Sequence, residues 1–315
     1  MIERKSASDV PQEDGATDEE IWLLGQPYLR DYLHFVKDAV VGGAHADPAA
    51  LTDEWRAAND YYEELERREA GIANQVECRD LDPGLVPLAA EVSAHPNFRH
   101  TFDTLPTSFA MVELDKLIVF QKSVTGSFVR TVQERLGPAP DPAALFRFCL
   151  PIASPDPAVE IRRVGSRRFS FRSDSMDLRY HEPALLQPSQ LRDYETFGPI
   201  AGVVGLVVGF GSNFLNAIRV EKRLLLHNGY HRACALRAMG ITHAPCIVQT
   251  VTRTDELAIT AKATVMEDPA FYFKTARPPL LKDFFDPKIR KRFKVHKQVR
   301  MIEVNFEVKD YVVRA

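Results

Sequence analysis

The sequence predicts an α/β (α+β) fold, in which a mainly helical N-terminal lobe precedes a domain built around a mixed sheet. Three observations predict it. Apolar residues in the first hundred positions recur at helical spacing. After Pro106 the pattern changes to short alternating or continuous apolar runs bounded by polar turns. Helix signals then recur between those runs. The expected division is a helical lobe with a loose start over 1–104 and an α/β domain over 105–315.

Taken in order, residues 1–17 are polar and read as loose. Asp18, Glu19 and Glu20 precede Ile21, Trp22, Leu23 and Leu24, and acids suit the positive start of a helix. A helix is therefore predicted over about 18–40, stopping at Gly42-Gly43. The next has an N-cap and an N1 proline in Asp47-Pro48. Its core stripe is Leu51, Trp55, Ala58, Tyr62 and Leu65, opposite Glu63, Glu64, Arg67 and Arg68.

Residues 111–124, MVELDKLIVFQKSV, read as a strand entering a turn or helix, with a helix over about 123–136 ending near Gly137. GPAPDPA follows as a loop. Residues 167–180 begin with strand-like alternation and break into a polar loop. AGVVGLVVGF belongs to an uncharged run from Thr196 to Ile218. That run is long enough to span a bilayer, but its glycines, Pro199 and asparagines favour buried strand and turn. AIRVEKRLLLHNG predicts two strands about a tight turn at Glu221-Lys222. A helix over 230–239 with Gly240 as its C-cap follows, then the strand APCIVQTVT. Further helices are expected over 254–266 and 279–292, and a final strand in RMIEVNFEVKDYVV.

Composition narrows the class. Apolar residues make up 45 % of the 315, enough for a full core, and the net charge of −3 does not suit a wholly nucleic-acid-binding surface. Cys78, Cys149, Cys234 and Cys246 form no C-x-x-C pair, which fits a reducing cytoplasm. The acidic N-terminus does not resemble a signal peptide, and no membrane association is expected.

The stretch HNGYHRACALRAMG, residues 227–240, carries the strongest chemical signal. A buried strand there gives way to a helix through Asn228 and Gly229. Helix starts have unpaired amides and a positive dipole end, so anions dock there. Glycine permits the sharp turn. Arg232 offers a fork of donors suited to phosphate, and His231 a proton donor near neutral pH. The alternative is that His231 and Arg232 only cap the turn and pair with a carboxylate.

LLLHNGYHRACALRAMGITHAPCIV resembles the signature of the ParB/sulfiredoxin superfamily, with Gly229, His231, Arg232, Gly240, Ile241 and Pro245 on its pattern. VELDKLIV, residues 112–119, is similar to that family's opening strand. The likeness covers about 25 residues, or about 40 with the weaker strand. It implies a ParB/sulfiredoxin-like mixed sheet whose turn handles nucleotide phosphates: ATP in sulfiredoxins, CTP in partition proteins, phosphate transfer to a small hydroxyl substrate in related serine kinases. Tyr230 stands where sulfiredoxins carry their reactive cysteine, which argues against sulfinic-acid repair. No helix-turn-helix of the partition proteins is evident.

The resemblance thus implies ATP or CTP with Mg2+ as cofactor. His231 and Arg232 are the candidate catalytic residues. Asn228, Gly229, Tyr230, Gln121, Lys122 and Arg179 are candidate binding residues, and Glu113 or Asp115 a candidate base. Other readings stay open. His227, His231, His243 and Cys246 are acceptable zinc ligands, but Gly229 and Pro245 separate them. The polar island of Ser173, Asp174, Ser175, Asp177 and Arg179 offers an anion contact or a base, or is a solvated turn. Segment 277–300 holds nine Lys or Arg against Asp283 and Asp286, a local charge of +7. It reads as a solvated helix face or as a nucleic-acid patch, with Phe284, Phe285 and Phe293 as anchors or base-stacking groups. The functions expected are a cytoplasmic enzyme using a nucleotide or other anionic small molecule, kinase-like in its chemistry, or a nucleotide-switched protein that meets nucleic acid or a partner. A third is an enzyme taking another anion at loop 172–179.

Overall fold

The computed structural model describes residues 16–26, 28–153, 157–191 and 198–314. The loose segment expected at the N-terminus lies outside the described residues up to position 15, as do Thr196 and Phe197 of the uncharged run. The architecture is mixed α and β, as expected. In chain order the elements are β1 (Thr17–Leu23), α1 (Leu29–Ala39), α2 (Pro48–Arg68), β2 (Cys78–Asp80), α3 (Val86–Ala94), α4 (Pro96–Thr101), β3 (Thr107–Glu113), β4 (Ser123–Thr125), α5 (Gly126–Leu136) and α6 (Pro142–Cys149). Then come β5 (Glu160–Gly165), β6 (Arg168–Ser173), β7 (Leu178–Tyr180), β8 (Ala184–Leu186), β9 (Val203–Gly205), β10 (Val208–Phe210), β11 (Asn216–Val220) and β12 (Arg223–Asn228). The chain finishes with α7 (Tyr230–Ala238), β13 (His243–Val251), α8 (Thr254–Thr260), α9 (Ala263–Glu267), α10 (Pro269–Phe273), β14 (Arg290–His296) and β15 (Arg300–Asn305).

These elements form two compact units, which do not divide at the expected 104/105 boundary. The first takes the chain up to Ile152 and returns for Asn213–Lys297; the second is Ala153–Ser212 with the chain from Gln298 onward. Strand pairing explains the difference. The supposed helical lobe contributes β2 to the sheet β12-β11-β13-β3-β2 and β1 to the sheet β14-β1-β4, so it closes no core of its own. In the five-stranded sheet β11 and β13 are parallel, while the other neighbours are antiparallel. Ile118 bridges Leu225 of β12 on one side and Leu280 on the other, which extends the sheet past β12.

The acids at 18–20 do not start a helix. They lie in β1, where Glu19 stands opposite Lys294 and Ile21 opposite both Arg292 and Val124. Burial of Trp22, Leu23 and Leu24 outweighs the local helix signal, and the helix begins only at Leu29. Helix α2 forms as expected. Asp47 accepts from the Ala49 N–H at 2.9 Å, and Ala58, Tyr62 and Leu65 are buried. Helix α6, read from the sequence as continuing loop, is capped by Asp141, which accepts from the Ala144 N–H at 2.7 Å.

The helix expected over 279–292 is also overturned. Leu281–Phe285 forms one 3₁₀ turn, and Arg290–His296 is strand β14, with Phe293 and Val295 turned inward and Arg292, Lys294 and His296 outward. The uncharged run was expected to be buried. Its strands β9 and β10 instead form small two-stranded pairings with β8 and β7, and Val204 is 70 % exposed. The helix expected over 254–266 is divided into α8 and α9. No helix among the described residues is long and apolar enough to cross a membrane.

Candidate functional site

Leu224, Leu225 and Leu226 are buried in β12, between β11 and the segment around Ile118. The strand ends in Asn228, and Gly229 turns the chain at φ +95° into α7, which runs to Ala238 before Gly240 at φ +81°. A Cβ on Gly229 would stand 2.6 Å from Leu215 Cδ1 and 3.1 Å from Leu215 Cα. The close approach that requires glycine is thus made by the protein's own chain. Gly229→Ala is expected to lower stability by about 2 kcal/mol through left-handed strain and this clash, read as a shift in urea midpoint. Pairing it with Leu215→Ala should recover only the clash component.

Tyr230 is 4 % exposed. Its hydroxyl accepts from the backbone N–H groups of Phe120 (2.9 Å) and Gln121 (3.4 Å) and donates to the Leu226 carbonyl (2.9 Å). It therefore pins segment 120–121 to the end of β12, and burial pushes its phenol pKa well up. This is a structural role rather than the ligand contact expected.

His231 is mostly buried and accepts at Nε2 from the Thr125 N–H at 3.1 Å, with Phe128 edge-on at 4.9 Å. Burial, with the positive Arg232 beside it, pushes its pKa down to about 4. At neutral pH the ring is uncharged, its proton on Nδ1, and Nε2 holds the start of α5. The expected proton shuttle does not fit that state. Arg232 reaches the Cys149 carbonyl at the end of α6 with a long 3.4 Å bond. Burial raises the Cys149 and Cys234 thiols to about 12, so neither is a ready nucleophile.

Of the other expected site residues, Gln121 and Lys122 lie beside Tyr230, but Lys122 is ion-paired to Asp31. Arg179 belongs to the second unit, on β7, where it pairs with Asp177. The candidate bases are engaged as well. Glu113 accepts from the Glu77 N–H and pairs with Lys116, and Asp115 pairs with Arg237 at 3.0 Å. No group of three or more potential metal ligands occurs among the described residues. His243 instead meets Glu77 at 3.4 Å, and Cys246 is buried inside β13.

Two features were missed. The acids 18–20 sit at the positive start of α5: Asp18 accepts from the Ser127 hydroxyl, Glu19 pairs with Arg130 at 3.2 Å, and burial raises the Glu20 carboxyl against hydrogen bonds from Ser123 and Thr125. Only pairing of β1 with β4 brings them there. A cavity of about 320 Å³ also opens near the C-terminal end of α7, lined by Arg68, Arg237, Lys282 and Phe285 over the buried pair Arg277–Asp283. Its cations are largely matched: Lys282 to Glu69 at 2.7 Å, Arg237 to Asp115, and Arg277 to Asp283 and Glu69. Elsewhere in the basic segment Lys291 pairs with Glu54 and Arg292 with Glu19.

No protein-family model, no curated protein and no solved structure matches the chain.

Proposed function

We propose that the first unit binds a phosphate-bearing small molecule at the start of α7, with a nucleotide such as ATP or CTP, carried with Mg2+, as the class that the ParB/sulfiredoxin likeness favours. One contrast carries this reading. Helices α2, α6 and α10 are capped by the carboxylates of Asp47, Asp141 and Asp268, and the start of α5 faces Asp18, Glu19 and Glu20. At the start of α7 the cap position is Gly229, and no side-chain cap bond is made. Amides in a first helical turn lack helical acceptors, and the dipole adds positive potential there. In this reading the N–H groups following Gly229 hold the phosphate, Arg232 neutralises it and Asn228 borders it.

Binding without chemistry is favoured over phosphotransfer. His231 is neutral and already bonded to Thr125, and Glu113 and Asp115 are occupied by cations. A kinase-like transfer to a small hydroxyl would need a base from elsewhere. Nucleotide binding would then act as a switch, or as positioning for a partner.

The test is calorimetric titration of the full chain with ATP, CTP and pyrophosphate in Mg2+. At least one should bind wild type, and Arg232→Ala should weaken it by about tenfold or more, the loss of a charge-assisted contact to phosphate. The absence of binding by all three to wild type would overturn the proposal. Turnover of a bound nucleotide would restore the enzymatic reading.

A further inference from the structure

The second unit carries a concentration of charge that the basic segment of the first unit only suggested. Residues 162–172, RRVGSRRFSFR, contain five arginines and no acid, and the whole stretch 153–212 contains no lysine. If these charges served solubility alone, lysine would serve as well. Arginine alone offers a planar fork that meets phosphate through paired hydrogen bonds and stacks on aromatic faces.

The fold displays these residues on a hairpin. Strand β5 is the edge of the antiparallel sheet β15-β6-β5, and every one of its residues is exposed. Register sets the faces. Ile161, Phe171 and Ile302 are in line, as are Arg163, Phe169 and Val304. Phe306 continues this face beyond β15: its ring stacks on Phe169 with centroids 6.5 Å apart and planes 14° apart, and it is 41 % exposed. One face thus presents an aromatic pair beside a guanidinium. The opposite face carries Arg162 and Arg168, ion-paired to Glu160 and Glu303. Those side chains stay 69 % and 51 % exposed, and exposed pairs of this kind hold weakly enough to exchange for another anion. Arg163 bonds the carbonyls of Gly165 and Ser166 in its own hairpin, and Arg167 is exposed at the turn.

We propose that this hairpin is a binding surface for single-stranded nucleic acid, with Arg162, Arg163, Arg167 and Arg168 on phosphates and Phe169 and Phe306 as the platform for unpaired bases. Charge complementarity selects a polyanion, and exposed stacked rings beside arginine select one with aromatic faces to offer. A duplex keeps its bases stacked internally and has no use for the rings. The inference is independent of the α7 site, and Arg232→Ala should leave it unchanged.

The experiment is fluorescence anisotropy of the full chain with labelled oligothymidine and oligouridine of about 20 nucleotides, a duplex of equal length, and polyglutamate. Single strands should bind, with log affinity falling against log salt at a slope of about −3 for four phosphate contacts. Arg163→Glu with Arg167→Glu should weaken binding by tenfold or more, and Phe306→Ala by about fivefold or more. Lys294→Glu, on exposed β14 in the first unit, should have no effect. Circular dichroism and an unchanged melting temperature confirm that the exposed substitutions leave the fold intact, and Arg163→Gln with Arg167→Gln serves if the charge reversal disturbs it. No binding of single strands would overturn the assignment, as would indifference to the hairpin changes, equal loss on Lys294→Glu, or tighter binding of duplex or polyglutamate.

Discussion

Arg277→Met is expected to destabilise the first unit by about 4 kcal/mol, the cost of leaving a buried carboxylate without its partner. Arg277 is 2 % exposed and Asp283 1 %. The guanidinium donates to both Asp283 oxygens (2.5 and 2.7 Å), to Glu69 (3.1 Å) and to the Tyr62 hydroxyl (2.9 Å), and Asp283 also accepts from the Leu280 N–H at 2.8 Å. Burial pushes the Asp283 carboxyl up, while the fork of Arg277 and the Leu280 amide pull it back. Four separate interactions on a rigid fork favour the ionised pair, and arginine keeps its proton in proteins. The double variant Arg277→Met with Asp283→Leu should be less destabilised than either single change, because it removes the orphaned charge along with the bond. Urea unfolding followed by tryptophan fluorescence reads this out, since both tryptophans, Trp22 and Trp55, belong to the first unit. If Arg277→Met unfolds within about 1 kcal/mol of wild type, the pair does not hold α2 to segment 277–283.

The second large effect is expected on acidification. The His231 pKa lies near 4 in the folded chain against 6.5 for a free ring, through burial and then the charge of Arg232. Between those values the unfolded chain takes up a proton that the folded chain refuses. The sign follows: the His231 contribution is complete above about pH 6.5 and is lost as pH falls toward about 4. The loss is on the order of 2 kcal/mol by about pH 5 and about 3 kcal/mol near pH 4. Other groups titrate in this window, so the informative quantity is the difference from His231→Gln, whose amide oxygen can still accept from Thr125. The variant should show a shallower fall between about pH 7 and pH 5. Parallel curves would mean that His231 titrates normally and is not confined between α5 and α7.

The two predictions rest on residues that the sequence marked and misread. Arg277 opened a run of nine cations, which suggests a solvated or nucleic-acid-facing surface. It became the innermost member of an ion-pair network because Glu69 and Tyr62 come from α2, more than 200 positions away. His231 was marked as a proton carrier by its place at a helix start. The neighbour that takes its lone pair, the Thr125 amide, is 106 positions distant.

What the sequence by itself determined is the local grammar. The capped stripe of α2, the strand–turn–helix through Gly229, the end of α7 at Gly240 and strand β13 were all legible. Each depends on contacts within a few residues: a cap, a left-handed glycine, a period of apolar side chains. Tertiary structure alone decided that the acids before Trp22 form a strand, that β14 is not a helix, and that the chain divides into interleaved units rather than consecutive ones. Pairing energy in a sheet comes from partners remote in sequence, here β14 lying opposite β1 from nearly the other end of the chain. A local signal such as an acidic helix start is worth less than burying three apolar side chains between two such partners.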